Sequence, residues 1–221
     1  MTQTSRFISL EGGEGAGKTT LLTGLQRKLE ASDETVSVTR EPGGTPLAEQ
    51  LRSLLLSNAE NDPAMSTMTE ALLLATARRD HVDGFIKPRL KAGHFVLCDR
   101  FIDSTRAYQG VALSSDAINT LEELATDGLK PVITFILDAP PSALKMRRDQ
   151  RGLNTDRFES RSMEFHDRVR KAFLDIAREN PSRVIVLDAL LPADELLELA
   201  WSHICDRCDL SFKDPSSAGT L

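Results

Sequence analysis

The chain has 221 residues and a mass of 24.3 kDa, which is enough for one α/β domain with a sizeable buried core. A hydrophobic fraction of 40% and a charged fraction of 27% are those of an ordinary globular protein, not of a disordered or membrane chain. The formal net charge of -6 disfavours binding along duplex nucleic acid, which requires a basic face, so we expect nucleotides and no nucleic acid as ligands.

The sequence contains no apolar run that approaches the roughly 18 to 20 residues of a membrane span, and its first residues, MTQTSR, lack the apolar core of a signal peptide. We therefore expect a cytoplasmic protein that does not bind membranes. Cys98 lies within an apolar run, where a thiol behaves as a small hydrophobe. Cys205 and Cys208 have C-x-x-C spacing, but no second pair of Cys or His lies near them, so the pattern does not indicate a zinc site.

Five short apolar runs, rich in β-branched and aromatic residues, predict β-strands. Segments with apolar residues at helical spacing separate these runs. The alternation predicts an α/β fold with a five-stranded, mostly parallel sheet and helices on both faces, because parallel strands need long connections and two-sided burial. In chain order the predicted strands are Phe7–Leu10, Val36–Val38, Phe95–Cys98, Val132–Leu137 and Val184–Leu187. We expect a single domain over residues 1–206 and a flexible C-terminal tail over 207–221.

The first predicted strand leads into a glycine-rich segment with the pattern G-x-x-x-x-G-K-T, and a predicted helix follows. This setting is that of a P-loop, whose backbone N–H groups and helix N-terminus bind the phosphates of a nucleoside triphosphate, so the fold is predicted to be the three-layer P-loop NTPase fold. Lys18 would reach the terminal phosphates and Thr19 would offer its hydroxyl to Mg²⁺. The predicted triphosphate-binding residues are Gly12, Gly13, Glu14, Gly15, Ala16, Gly17, Lys18, Thr19 and Thr20.

The third predicted strand ends in Asp99 and Arg100, at the sheet edge where ligands of α/β proteins bind. We expect Asp99 to hold the metal directly or through water, and Arg100 to face an anionic substrate.

Three segments resemble the signatures of the thymidylate kinase family, in family order. They are TREPGGT at Thr39–Thr45, DRF at Asp99–Phe101 and STRAYQG at Ser104–Gly110. The resemblance spans roughly Phe7 to Cys205. It implies the fold of nucleoside monophosphate kinases, Mg²⁺-dependent transfer of the ATP γ-phosphate to dTMP to give ADP and dTDP, and a homodimer.

The same resemblance implies roles for individual residues. Glu14 matches the P-loop acid that faces the sugar hydroxyl of dTMP. Arg40 and Arg100 match the arginines around the acceptor phosphate. The segment Thr69–His81 resembles the base-binding helix, in which Leu74 stands where the family has an aromatic residue that stacks on thymine. The remaining acceptor contacts implied are Arg78, Ser104, Tyr108 and Gln109.

A mobile lid is predicted at about residues 147–159, where four arginines surround a glycine-containing break between two helices. A closing lid would exclude water and bring positive charge to the transferred phosphoryl group. In thymidylate kinases a catalytic arginine lies either in the P-loop or in the lid. Because Gly15 occupies the P-loop position, the resemblance implies a lid-type bacterial enzyme, with Arg151 and Arg157 as candidate catalytic residues beside Lys18, Glu14 and Arg100.

Other functions stay open from the sequence. Leu74 weakens the argument for thymine, so a kinase of another nucleoside monophosphate is one alternative. A catalytically weakened P-loop binding protein is a second. A nucleotide-dependent switch that hydrolyses triphosphate without an acceptor is a third.

Overall fold

The computed structural model describes residues 6–57, 65–151, 157–158 and 160–210. Its centre is a five-stranded sheet in the order β2-β3-β1-β4-β5, and all of its neighbouring strands are parallel. The register brings Ile8 of β1 opposite Leu97 on one side and Ile133 on the other. The strands are β1 (Phe7–Gly12), β2 (Val36–Arg40), β3 (Phe95–Asp99), β4 (Ile133–Asp138) and β5 (Val184–Asp188). The predicted parallel five-stranded sheet is therefore confirmed.

Helices connect the strands and cover both faces of the sheet. Several begin at a Ser or Thr whose hydroxyl accepts a hydrogen bond from the backbone three residues later, as Thr45 does from Ala48 and Ser162 from Phe165. A π-helical turn at Val82–Ile86 joins α3 to α4. The helices are α1 (Lys18–Ala31), α2 (Pro46–Leu56), α3 (Thr67–His81), α4 (Lys87–Lys91), α5 (Ile102–Tyr108), α6 (Ser115–Thr126), α7 (Pro141–Arg151), α8 (Met163–Glu179) and α9 (Ala193–Cys208).

The core consists of three hydrophobic clusters of buried residues that pack against the sheet. Leu25 and Leu29 of α1 are fully buried and share one cluster with Trp201 and Ile204 of α9. On the opposite face α5 and α8 pack against the sheet through aromatic side chains such as Phe173. Burial of both faces explains why the strands are apolar runs with little alternation.

Helix α9 continues past the predicted start of the C-terminal tail. It ends at Cys208, so the expected boundary at residue 207 falls inside a helix, while residues 211–221 lie outside the described residues. Cys205 and Cys208 belong to the cluster between α1 and α9, and burial raises the pKa of the Cys208 thiol to about 11. Packing therefore accounts for this C-x-x-C pair. In the described ranges no helix is long and apolar enough to cross a membrane.

Candidate active site

The P-loop connects β1 to α1 at the carboxyl edge of the sheet. Gly12 has φ of 127°, and a Cβ there would lie 2.4 Å from the carbonyl oxygen of Leu137 on the neighbouring strand, so only glycine fits. Lys18 begins α1, is 5% exposed, and its Nζ donates to the carbonyl oxygens of Gly12 at 3.3 Å and Gly13 at 3.0 Å. Burial lowers the pKa of Lys18, and Arg100 lowers it further.

Glu14 joins the P-loop to the neighbouring cleft. Its carboxylate forms an ion pair with the Arg100 guanidinium. Lys18 first, and Arg100 in addition, hold the pKa of Glu14 far below its usual range. Glu14 is therefore a permanent negative charge between two cations, which suits a group that accepts a hydrogen bond from a hydroxyl while keeping both cations in place.

The larger cleft, of about 640 Å³ including its open side, lies next to the P-loop between α2, α3 and α5. It contains every predicted acceptor residue except Arg40. Its lining combines five charged side chains with apolar ones. The lining residues are Glu14, Glu41, Pro42, Arg52, Leu56, Leu74, Arg78, Arg100, Ser104, Thr105, Tyr108, Gln109 and Phe158.

Arg40 is not among the residues that line this cleft. Its side chain is 52% exposed and its Nη2 donates to Glu49 at 2.9 Å. Arg52 of α2 lines the cleft instead, and its Nη1 donates to the carbonyl oxygen of Pro42 at 2.9 Å. Apart from its charge, nothing in the sequence indicated a role for Arg52. Its contact with Pro42, in the signature that precedes α2, depends on the path of α2 in the folded chain.

Arg78 is fixed by three acceptors and is 4% exposed. Its Nε donates to Glu41 at 2.6 Å, its Nη1 to the Thr105 hydroxyl at 3.0 Å and its Nη2 to the Phe101 carbonyl at 3.1 Å. Glu41 also bonds to His81 Nδ1 at 3.0 Å. The sequence did not indicate a role for Glu41 or Thr105, although both lie inside the signatures. Both residues orient Arg78, which belongs to a different element, and this contact forms only in the folded chain.

Arg100 has a left-handed backbone, with φ of 71°. For a residue other than glycine this conformation costs about 1 to 2 kcal/mol, so its surroundings must enforce it. Its Nη1 donates to the Ser104 hydroxyl at 3.0 Å, and its guanidinium carbon lies 5.3 Å from the centre of the Tyr108 ring. Burial raises the pKa of Tyr108, although Arg100 opposes this, so its hydroxyl remains protonated and able to donate.

Gln109 is 1% exposed and lies at the inner end of the cleft. Its Nε2 donates to Glu70 at 2.6 Å, which fixes the orientation of the amide. Its Oε1 is buried, and no donor in the described part of the chain reaches it. A buried acceptor of this kind is costly unless a ligand supplies the missing donor.

A second cleft, of about 450 Å³, lies on the other side of the P-loop, beneath α7 and α8. Arg148 of α7 lines it, and a Cβ at Gly15 would lie 3.1 Å from its Cγ. Arg148 also helps to keep the pKa of Glu14 low. Among the lid arginines with described side chains, Arg148 thus lies beside the P-loop, although the sequence pointed to Arg151 and Arg157 as the catalytic candidates.

Of the two arginines predicted to be catalytic in the lid, Arg157 has a described side chain, and its partner is a carboxylate of α3. Arg157 forms an ion pair with Glu70 of α3, and Arg161 donates to the same carboxylate at 3.3 Å. The side chain of Arg151 lies outside the described residues, as do residues 152–156. Catalytic roles for Arg151 and Arg157 stay predictions.

Asp99 ends β3 next to the P-loop, and its Oδ1 is buried with no donor from the described residues. An uncompensated carboxylate oxygen at this position fits a Mg²⁺ ion or one of its water ligands, with the exposed Thr19 at the start of α1 as the hydroxyl partner. No group of three or more His, Cys, Asp or Glu that could hold a metal occurs in the described ranges.

Comparisons with known proteins agree with this geometry. The family model described as thymidylate kinase matches residues 10–200. A thymidylate kinase of Caulobacter vibrioides is 49% identical over 206 residues, which are 92% of this chain and 98% of the relative. One of Rhodopseudomonas palustris is 43% identical over 218 residues, or 97% of this chain and 93% of the relative. The crystal structure of thymidylate kinase from Ehrlichia chaffeensis superposes with a TM-score of 0.71 at 34% identity, covering 90% of this chain and 97% of that one. The chain belongs to the thymidylate kinase family and is a nucleoside monophosphate kinase.

Proposed function

We propose that the protein transfers the γ-phosphoryl group of ATP to dTMP, giving ADP and dTDP. The observation that carries this proposal is the ion pair between Glu14 and Arg100, which links the P-loop to the acceptor cleft. In the reaction a phosphate oxygen of dTMP attacks the γ-phosphorus as the bond to the β-γ bridging oxygen breaks. The protein contributes alignment and positive charge, and it needs no covalent nucleophile.

The cations fall on both sides of the transferred group. Lys18 and the P-loop N–H groups hold the donor phosphates, and Arg148 approaches them from α7. Arg100 and Arg52 lie in the acceptor cleft, where their charge suits the phosphate of dTMP. Bound Mg²⁺ supplies charge neutralisation of the donor phosphates, and Thr19 and Asp99 are the residues that would hold it. Glu14 accepts from the sugar hydroxyl.

Hydrogen bonding favours thymine over cytosine. Thymine presents an acceptor at O4 and a donor at N3–H, whereas cytosine presents an amino donor in place of O4. In the cleft Arg78 provides donors and the Oε1 atom of Gln109 is an acceptor without a donor from the described residues. Leu74 and Phe158 supply apolar surface for the faces of the base. A site built with such groups rejects an analogue that leaves them unpaired.

We also infer a homodimer and a cytoplasmic location. Exposed apolar side chains from three adjacent helices, Leu54 of α2, Leu72 of α3 and Leu124 of α6, are 49%, 50% and 67% exposed. A face of this kind away from the clefts suits contact between two copies of the chain. The cytoplasm supplies the ATP that the reaction consumes.

The experiment is to incubate the purified protein with ATP and Mg²⁺, with and without dTMP, and to separate the nucleotides by ion-exchange chromatography. We expect equal amounts of ADP and dTDP, formed only when dTMP is present. Release of inorganic phosphate at the same rate without dTMP would instead identify a nucleotide-hydrolysing switch. Turnover of another monophosphate at a higher kcat/KM than dTMP would identify a different acceptor.

A further inference from the structure

Glu11 is a fully buried acid that the proposed reaction does not use directly. It precedes Gly12 on the central strand and is 0% exposed. Its Oε1 accepts from the backbone N–H of Phe101 at 2.7 Å and its Oε2 from the hydroxyl of Ser104 at 2.5 Å. Both donors belong to the segment that follows Arg100, so one side chain of β1 spans the turn that carries the key acceptor arginine.

The turn needs such a support. The N–H of Arg100 donates to the Leu10 carbonyl at 2.9 Å, which continues the ladder between β1 and β3 for one more residue. Arg100 then adopts its left-handed backbone, and Phe101, the residue before α5, gives that helix no side-chain cap. The Phe101 N–H would be a buried donor without a partner if Glu11 did not accept from it.

Phe101 and Ser104 connect Glu11 to both acceptor arginines. While the Phe101 N–H donates to Glu11, the carbonyl of the same residue accepts from Arg78 Nη2 at 3.1 Å. The Ser104 hydroxyl likewise donates to Glu11 and accepts from Arg100 Nη1 at 3.0 Å. A displacement of Glu11 would therefore be passed to two guanidinium groups that line the acceptor cleft.

We propose that Glu11 is a positioning residue that holds Arg100 in its left-handed conformation and fixes the Phe101 peptide, so that Arg100 and Arg78 meet the acceptor nucleotide together. This proposal rests on the proposed transfer to dTMP. Glu11 makes no contact with the substrate in this account and acts through the backbone that it holds.

Burial, with a smaller contribution from the neighbouring Asp103, raises the pKa of Glu11 to about 8 against the lowering effect of Arg100. When protonated, the carboxyl still accepts from Phe101 with one oxygen and donates to Ser104 with the other. A glutamine can make the same pair of bonds. The required property is therefore the reach of the side chain to two partners, not its charge.

Two substitutions separate reach from charge. Glu11→Asp keeps an ionisable carboxyl but shortens the side chain by one methylene, so it cannot reach both partners. Glu11→Gln removes the ionisable group and keeps both hydrogen bonds. A matched control is Ser9→Ala on the same face of β1, which removes a buried hydrogen bond of 2.8 Å to Thr134 and none to Phe101 or Ser104.

The readouts are the steady-state constants for dTMP and ATP, and dTMP affinity by calorimetry in each folded variant. We expect Glu11→Asp to lower kcat/KM for dTMP and to weaken dTMP binding by at least about 10-fold, while the KM for ATP changes less than about twofold. Glu11→Gln and Ser9→Ala should stay within about threefold of the wild type.

An unchanged kcat/KM for dTMP in Glu11→Asp would overturn the proposal, as would an equal loss in Glu11→Gln or an equal rise in the KM for ATP. If Glu11→Asp does not fold, a Glu11→Gln protein with dTMP affinity 10-fold below the wild type overturns it in the same way, and one with wild-type affinity supports it. Lack of wild-type turnover with dTMP would instead refute the proposed function.

Discussion

The acceptor side and the lid side of the site hold their arginines in different ways. On the acceptor side the Arg78 side chain is 4% exposed and bonded through all three guanidinium nitrogens, and Arg100 is 14% exposed and paired with Glu14. On the lid side Arg157 and Arg161 are 22% and 37% exposed and share the single carboxylate of Glu70. Buried cations with several hydrogen bonds already have a fixed position before the substrate binds. Partly exposed cations can exchange one partner for another at a small cost in free energy.

This difference assigns different kinetic roles to the two sides. Preorganised cations recognise a ground-state phosphate and base, so their loss should appear in the kcat/KM for dTMP. Arg148, which lies beside the P-loop, would act when charge moves towards the ADP leaving group, so its loss should appear mainly in kcat.

The largest effect should follow loss of the acceptor-side cation Arg100. For Arg100→Ala we expect kcat/KM for dTMP to fall by about 10²- to 10³-fold, since a charged contact to the phosphate is lost and Glu14 loses its ion-pair partner. The KM for ATP should stay within about twofold. Steady-state kinetics with each substrate varied will test this. Arg106→Ala is the matched control, because Arg106 lies on the same segment but donates to Glu122 at 2.8 Å.

A smaller effect is expected on the lid side. Arg148→Ala should lower kcat by about 10- to 10²-fold and leave the KM for dTMP nearly unchanged. Lys145→Ala is the control on the same helix, since Lys145 pairs with Asp149 at 2.7 Å and is 54% exposed. If Arg148→Ala raised the KM for dTMP as strongly as Arg100→Ala does, the division of roles between the two sides would be wrong.

Leu74 offers a way to strengthen the acceptor side. Leu74→Phe should lower the KM for dTMP by about 3- to 10-fold, because an aromatic ring stacks on a base more strongly than an aliphatic side chain does. Leu72→Phe, on the same helix but 50% exposed, should change nothing. A higher KM in Leu74→Phe would mean that Phe158, which lines the same cleft, already occupies the space that the new ring needs.

The smallest effect concerns stability and pH at Glu11. Its pKa is raised from an ordinary 4.5 to about 8 in the folded protein. Below 4.5 the group is protonated in both states, and between 4.5 and 8 only the native state keeps the proton, so its contribution to stability is lost as the pH rises through this window. Glu14 titrates in the acid range, below the window, because its pKa is lowered.

Glu11→Gln cannot ionise and should lack this loss. We expect its Tm to rise relative to the wild type by at least about 4 °C between pH 5 and pH 8.5, a shift that corresponds to roughly 1 to 2 kcal/mol for a protein of this size. The ionisable groups that interact with Glu11 are unchanged in the variant, namely Lys18, Cys98, Arg100, Asp103, Tyr108 and Arg183. Parallel Tm curves for the two proteins would contradict the raised pKa.

The sequence predicted the sheet and the P-loop because both depend on local patterns. Alternating apolar runs and a glycine-rich turn between strand and helix are legible without any tertiary information. The signatures likewise located most of the acceptor cleft. Arg40 and Arg148 show where this reasoning stops. Whether an arginine reaches a cleft depends on the surrounding fold. Arg40 pairs with Glu49 at the surface, whereas α7 brings Arg148 close to Gly15. The residues next to each arginine in the sequence do not indicate this.

The same limit applies to buried supporting groups. Glu11, Glu41 and Thr105 hold functional side chains that are at least 23 residues away in sequence or lie on another element. Their residue types suit many roles, and only the hydrogen bonds across elements show what they do.

The most direct test of the account is the ratio of kcat/KM for dTMP to that for dCMP in the wild-type protein, measured with saturating ATP and Mg²⁺. The two acceptors share sugar and phosphate and differ only in the base, so the ratio reports how Arg78 and Gln109 read thymine. We predict a ratio of about 10² or more, because cytosine would leave buried hydrogen-bonding groups unpaired. A ratio near one would contradict the assignment of this cleft to thymidylate.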